Sequence, residues 1–299
     1  REIDMAVNIS LNVKSNIRSN LKKVLYILLS FLMSFLLLCL SFSILLEFTI
    51  FNKDFVMEEM NSSGYFAKKN TEIKRGLTDL GYASGLNEDF FNDLFDESLL
   101  RDDTIVYLNN FYSGNGSVIS TDNFKEIFEK ALDEYIEKNN FSSESVDKKS
   151  LEYLINNASK IYKDSLELPL LNSIAGYFLG LKKVLPVIIG VLSILTILVG
   201  IIFVFSNRWK HRAARYMCYT TTTVFLTTLF PAIVILASEK IEHINITSMA
   251  TYSLFVSIAN TLVFWLFGIS VFFALASVVL YIIYRYLYPK QRKEFAFMR

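Results

Sequence analysis

Four stretches of this chain run for 22 residues or more with almost no charged side chain. That is the length an α-helix needs to cross the hydrocarbon core of a bilayer. They cover residues 24–51, 184–205, 216–237 and 262–284. Apolar residues make up 53% of the chain, and they are gathered into these blocks rather than spread by helix or strand periodicity. This excludes a soluble enzyme, a nucleic-acid-binding domain and a disordered chain. The first block exceeds the 7–15 residues of a signal-peptide core and no small-residue cleavage site follows it, so it reads as a retained helix.

Charge between the blocks orients them. Residues 1–23 hold five bases and two acids, 207–215 hold Arg208, Lys210, Arg212 and Arg215 with no acid, and 285–299 hold five bases and one acid. By contrast, residues 52–183 hold 15 bases against 23 acids, and the short segment 238–261 is net negative through Glu239, Lys240 and Glu242. All the positive blocks then fall on one side. The reading is an all-α integral membrane protein with both termini cytoplasmic, and a helical extracytoplasmic domain at 52–183 inserted between spans one and two. The segment 238–261 forms a short external loop and the start of the fourth helix. Abundant Lys, Asn, Ile and Phe suggest a bacterial inner membrane.

The insert carries helical rather than strand patterns. Phe124, Ile127, Phe128, Ala131, Leu132, Tyr135 and Ile136 recur at spacings of three and four, one stripe of a helix. Ser120, Thr121 or Asp122 can cap it, and Glu126 with Lys130 and Glu134 with Lys138 stand in the favourable i, i+4 order. A second helix follows Leu151, Leu154, Ile155, Ala158, Ile161 and Tyr162 and ends before Pro169. Shorter ones are expected over 88–95, capped by Asn87, and 102–112, stopped at Ser113-Gly114-Asn115-Gly116. Together they predict a small helical bundle. The apolar run 170–181 is expected at the membrane interface or as an outward extension of the second span. Cys39 and Cys218 both lie in apolar blocks, so no disulfide framework supports the insert.

No chemistry-bearing constellation stands out. His243 is the one external histidine and reads as a solvated loop residue; His211 sits among cytoplasmic bases. Clustered zinc ligands, a Walker A sequence and a dinucleotide fingerprint are not found. The expectation is a protein that is not an enzyme and has no cofactor. The densest charge lies in 87–103, where Glu88, Asp89, Asp93, Asp96, Glu97, Asp102 and Asp103 oppose Arg101 alone. It can be a solvated face opposite Phe90, Phe91, Leu94 and Phe95, a docking face for a basic partner, or a divalent-cation site, though the calcium-loop order is missing. Glu47 is the one acid inside an apolar block, one turn from its outer end.

Two features point to helix packing. Gly176 and Gly180 form a G-x-x-x-G, followed by Gly190 and Gly200 in the second span, and glycine allows close helix approach. Thr220, Thr221, Thr222, Thr223, Thr227 and Thr228 precede Pro231 in the third span, where they can bond back along the helix or across to another, with Asn260 as one partner.

Four spans, both ends inside and a large first external loop resemble the layout of the cell-division permease-like family. That resemblance implies an ABC-type subunit coupling a cytoplasmic ATPase to the external domain. The residues themselves favour a non-enzymatic subunit of a bacterial envelope assembly. Its external helical domain senses or docks a protein partner or a second copy, with the lipid bilayer as its other partner and no nucleic acid.

Overall fold

The structure, a computed structural model, describes residues 2–82, 86–92, 94–116, 119–139, 148–206, 210–238 and 241–297. Among them are ten helices and no strand: α1 (Glu2–Phe48), α2 (Lys53–Ser62), α3 (Tyr65–Tyr82), α4 (Glu88–Asn92), α5 (Glu97–Ser113), α6 (Asp122–Lys138), α7 (Lys148–Leu166), α8 (Pro169–Ser206), α9 (Lys210–Ser238) and α10 (Met249–Phe297). The chain divides into two compact units. An apolar unit takes Arg1–Leu46, Leu185–Glu239 and Leu262–Arg299; an insert domain takes Glu47–Val184 and Lys240–Thr261.

The insert domain is built around α3, which packs against α7, α5, α2 and α4. Its buried residues Phe66, Ile73 and Leu77 follow the helical repeat, and the position between them is filled by Lys69. The expected stripe on α6 is present, with Phe124, Phe128 and Leu132 buried and Lys130 paired to Glu126 at 2.7 Å on the outer face. On α7, Leu154, Ala158, Tyr162 and Leu166 turn inward, and the helix ends before Pro169. Aromatic rings form the centre. Tyr162 stacks on Phe124 at 4.3 Å with the planes 7° apart, and Phe95 meets both rings edge-on at 5.7 Å.

Local chemistry sets the helix ends. Asn52 caps α2 by accepting from the Asp54 N–H. Gly114 closes α5 at φ +76°, a left-handed conformation that a residue with a Cβ resists. Two expectations are corrected here. Within the segment 88–95 the helix is Glu88–Asn92 and Leu94 and Phe95 lie outside it, and α5 begins at Glu97 rather than 102, because Asp96 accepts from the Ser98 and Leu99 N–H groups and starts the helix early. In addition, α2 and α3 lie where the sequence patterns predict no helix.

Four helices are long and apolar enough to cross a membrane: Lys23–Phe48, Ala175–Ser206, Lys210–Ser238 and Met249–Pro289. The 170–181 run belongs to α8, whose Phe178 enters the insert core beside Phe51 and Phe111. Within the apolar unit, α1 runs antiparallel to α8 and α9 antiparallel to α10, while α1 and α9 run parallel. Tyr26 near the start of the first span bonds Ser206 at the end of α8, Ser30 meets Thr220, and α9 runs against α10 through Thr222 with Ser277 and Thr228 with Ser270.

The threonines of α9 therefore do both things open to them. Thr220, Thr221, Thr222, Thr223 and Thr228 bond back within their own helix, and Thr220, Thr222 and Thr228 also reach serines of α1 and α10 at 2.6–2.9 Å. Cys218 joins the same seam, its sulfur 3.4 Å from the Ser277 hydroxyl. The partners are Ser30, Ser270 and Ser277, not Asn260.

Candidate functional site

The acidic segment is divided between α4 and α5, and several of its acids are engaged in bonds. Phe90 and Phe91 pin α4 to the domain: the Phe90 ring meets Phe128 at 5.9 Å and Tyr135 at 5.3 Å, and Phe91 lies against Gly81. Glu88 and Asp89 on that helix are exposed. Asp96 is spent as the cap of α5; its bonds from the Ser98 hydroxyl and the Leu99 N–H hold its carboxyl below the usual range. Glu97 lies 3.6 Å from Arg101. Asp102 is exposed, whereas Asp103 is half-buried and accepts from the Tyr162 hydroxyl at 2.7 Å. Burial pushes the Asp103 carboxyl up, against the lowering effect of that bond. Asp93 lies outside the described residues. Among the described residues, the outward acids without a bond are thus Glu88, Asp89 and Asp102; Asp96 is exposed too but engaged as the cap, and Glu97 is half committed to Arg101.

Two acids outside that segment, Glu59 buried and Glu72 half-buried, bond to α10 and its approach, and the sequence patterns single out neither. Glu59 on α2 accepts from the Ser257 hydroxyl and, at 2.8 Å, from the Thr261 hydroxyl, both on α10. Glu72 on α3 accepts from the Ser248 hydroxyl at 2.8 Å, from the Ala250 N–H at 3.0 Å and from the Lys69 ammonium at 3.4 Å. Ser248 in turn accepts from the Thr251 N–H, so a serine in sequence and a carboxylate from α3 together cap the first turn of α10. A negative charge there also suits the helix dipole. Desolvation pushes the Glu72 carboxyl up, but the Ala250 N–H, Ser248 and Lys69 outweigh it and hold it below its ordinary value.

These bonds do positional work. They tie residues 248–261 to α2 and α3, and Ala250 and Leu254 complete the same apolar core. One sequence signal could have shown this: Lys69 stands at a core register between Phe66 and Ile73, where a base needs a buried acid.

The remaining candidates are placed as follows. His243 is exposed in a turn, and His211 meets the Tyr288 ring edge-on at 5.7 Å. Among the described residues, no three His, Cys, Asp or Glu side chains gather as a metal-ion site. Glu47 has one carboxylate oxygen closed off without a hydrogen-bond partner. A methyl added at Gly176, Gly180 or Gly190 would meet no atom within 4 Å, and one at Gly200 would touch only Met33 at 3.7 Å, so the glycine pattern makes no close approach within this chain. Comparison with protein-family models, with curated proteins and with solved structures finds no match to this chain.

Proposed function

We propose that the chain is a non-enzymatic, four-span protein of a bacterial plasma membrane whose insert domain stands on the extracytoplasmic side and docks or senses a protein partner. One observation carries this reading. In a chain with four spans, the first and third connections share a side of the membrane, and these are the two segments, Glu47–Val184 and Lys240–Thr261, that form one compact unit. Glu72 and Glu59 join them through hydrogen bonds. The charge balance puts that unit opposite the basic ends. Its outward acids Glu88, Asp89 and Asp102 suit a partner with a basic surface, because complementary charge steers association.

Cysteine accessibility tests the orientation. With Cys39 and Cys218 replaced by alanine, Ser113→Cys labels in intact cells with a membrane-impermeant maleimide, and Lys210→Cys labels only after the cells are opened. Labelling of both from outside refutes it. Docking is tested by recovering partners of the tagged chain across a salt series. Replacing Glu88, Asp89 and Asp102 by amides weakens recovery of the partner and flattens its salt dependence. Recovery of a cytoplasmic ATPase in its place would move the protein to the permease-like reading.

A further inference from the structure

We propose that one end of the apolar unit holds a binding site for the phosphate of an anionic phospholipid, with Arg215 as its principal ligand. The contacts within the unit define that end. Tyr26 donates its hydroxyl to the Ser206 carbonyl at 2.7 Å, and its ring lies 6.3 Å from Phe203 and 5.8 Å from Tyr216. This buried aromatic group ties the start of the first span, the end of α8 and the start of α9 together. Arg215 sits on its rim, with its guanidinium 5.3 Å over the Tyr216 ring. The Arg215 Nε is closed off from solvent and has no hydrogen-bond partner. Buried donors in folded proteins nearly always have an acceptor, from the chain, from water or from a ligand.

The charge around it is one-sided. Lys23 is one turn from Tyr26, Lys210 and Arg212 begin α9, and Arg285 is one turn from Tyr288, whose ring meets His211. All four bases are exposed. Among the described side chains of the apolar unit there is no Asp or Glu to balance them. Among the described residues, nothing in the unit supplies their counter-charge, and an anion from outside can. Where helices of spanning length end, the anions at hand are lipid head groups, and basic pockets between such helices take them. A guanidinium meets a phosphate with two parallel hydrogen bonds, which an ammonium cannot copy. Phe205 and Ile202, at the end of α8, are exposed and give the acyl chains an apolar wall. That wall favours a lipid over a free phosphate ion.

The proposal rests on the four helices lying in a bilayer and is independent of their orientation. Extraction of the chain from membranes by alkaline carbonate would sink the span reading; the lipid test below is separate. The full chain is purified in maltoside micelles doped with equal amounts of phosphatidylglycerol and phosphatidylcholine, and native mass spectrometry counts the lipids it keeps. Phosphatidylglycerol is retained in preference, and Arg215→Gln lowers that retention about fivefold or more, the share of one base at a membrane surface. Arg215→Lys, which keeps the charge and the fold, loses most of the preference because it lacks the fork. This second variant decides the matter if the first does not fold. Equal retention of the two lipids, unchanged retention in both variants, or full displacement of the lipid by inorganic phosphate overturns the proposal.

Discussion

Phe128, Phe124 and Tyr162 of the insert domain are closed off completely, while Phe205, Phe264 and Phe272 of the apolar unit keep 82%, 76% and 65% of their surface open. The apolar unit closes off few rings, Phe203, Tyr216 and Phe273, and among its most buried side chains are small polar ones: Ser30, Ser34, Thr220, Thr228 and Ser270. The two units differ in how many of their large rings they close off, and the surroundings explain it. In water, apolar area drives association at about 25 cal/mol per Å², so aromatic rings go inside. Between helices in lipid that drive vanishes, because an acyl chain is as apolar as a phenylalanine, and hydroxyl bonds with close packing select the contacts.

The comparison is most easily broken in the aromatic core. Phe128→Ala should cost about 3–5 kcal/mol, since it removes a fully buried ring and leaves a cavity. Phe272→Ala on α10 should change stability by about 0.5 kcal/mol or less. Denaturant unfolding of the full chain in micelles measures both. Equal losses would mean that the apolar unit buries its large side chains after all.

Glycines give a second contrast, of middle size. A Cβ at Gly81 collides with the Phe91 ring, and a rigid aromatic inside a packed domain yields poorly. Gly81→Ala should cost about 1–3 kcal/mol through overpacking. At Gly190 a Cβ meets nothing within 4 Å, so the same change there should leave the melting temperature unaltered. Loss of stability at Gly190 would reveal a close helix neighbour supplied by a second copy of the chain.

The hydroxyl seam predicts a smaller effect. Ser270→Ala or Thr228→Val breaks one bond of 2.8 Å between α9 and α10. Such bonds in membranes average about 0.6 kcal/mol and reach about 1.7. A double-mutant cycle isolates the pair, and a coupling near zero would show that the helices meet by shape alone.

The same contrast explains what could be read from the residues. The spans, and the stripes of α6 and α7, follow from periodicity because their apolar positions are uninterrupted. The helices α2 and α3 were hidden because Glu59 and Lys69 occupy inward positions and spoil the pattern. Their presence makes sense only with Ser248, Ala250, Ser257 and Thr261, and the bonds that Glu59 and Glu72 make there join positions 176 to 202 residues apart. No local window carries that information. Similarly, the α9 threonines are conspicuous as a polar run, but their serine partners on α1 and α10 look like ordinary span residues. The acidic segment was legible as charge and not as geometry: Asp96 stays exposed but is engaged as a helix cap, and a tyrosine bond holds Asp103 half-buried.

The smallest effect concerns acid, and it can arise only where carboxylates are structural. The described side chains of the apolar unit include none, and the described carboxylates with structural bonds lie in the insert domain. There, Glu72 and Asp103 pull in opposite directions. Glu72 is held below its ordinary value of 4.5, so the unfolded chain takes up the proton first, and its stabilising contribution is present above that value and lost as pH falls beneath it. Asp103 is pushed above its ordinary 3.8, so the folded state takes up the proton first; its contribution is present below that value and lost as pH rises past it. Glu72→Gln should therefore flatten the fall in melting temperature between about pH 5 and pH 3, the range flanking these ordinary carboxyl values. Asp103→Asn, which still accepts the Tyr162 hydroxyl, should steepen that fall. Thermal melts of the full chain in micelles across this range read both slopes. If Glu72→Gln leaves the slope unchanged or steepens it, the capping of α10 by Glu72 is not what holds residues 248–261 to the insert domain; if Asp103→Asn flattens it, burial does not govern the Asp103 carboxyl.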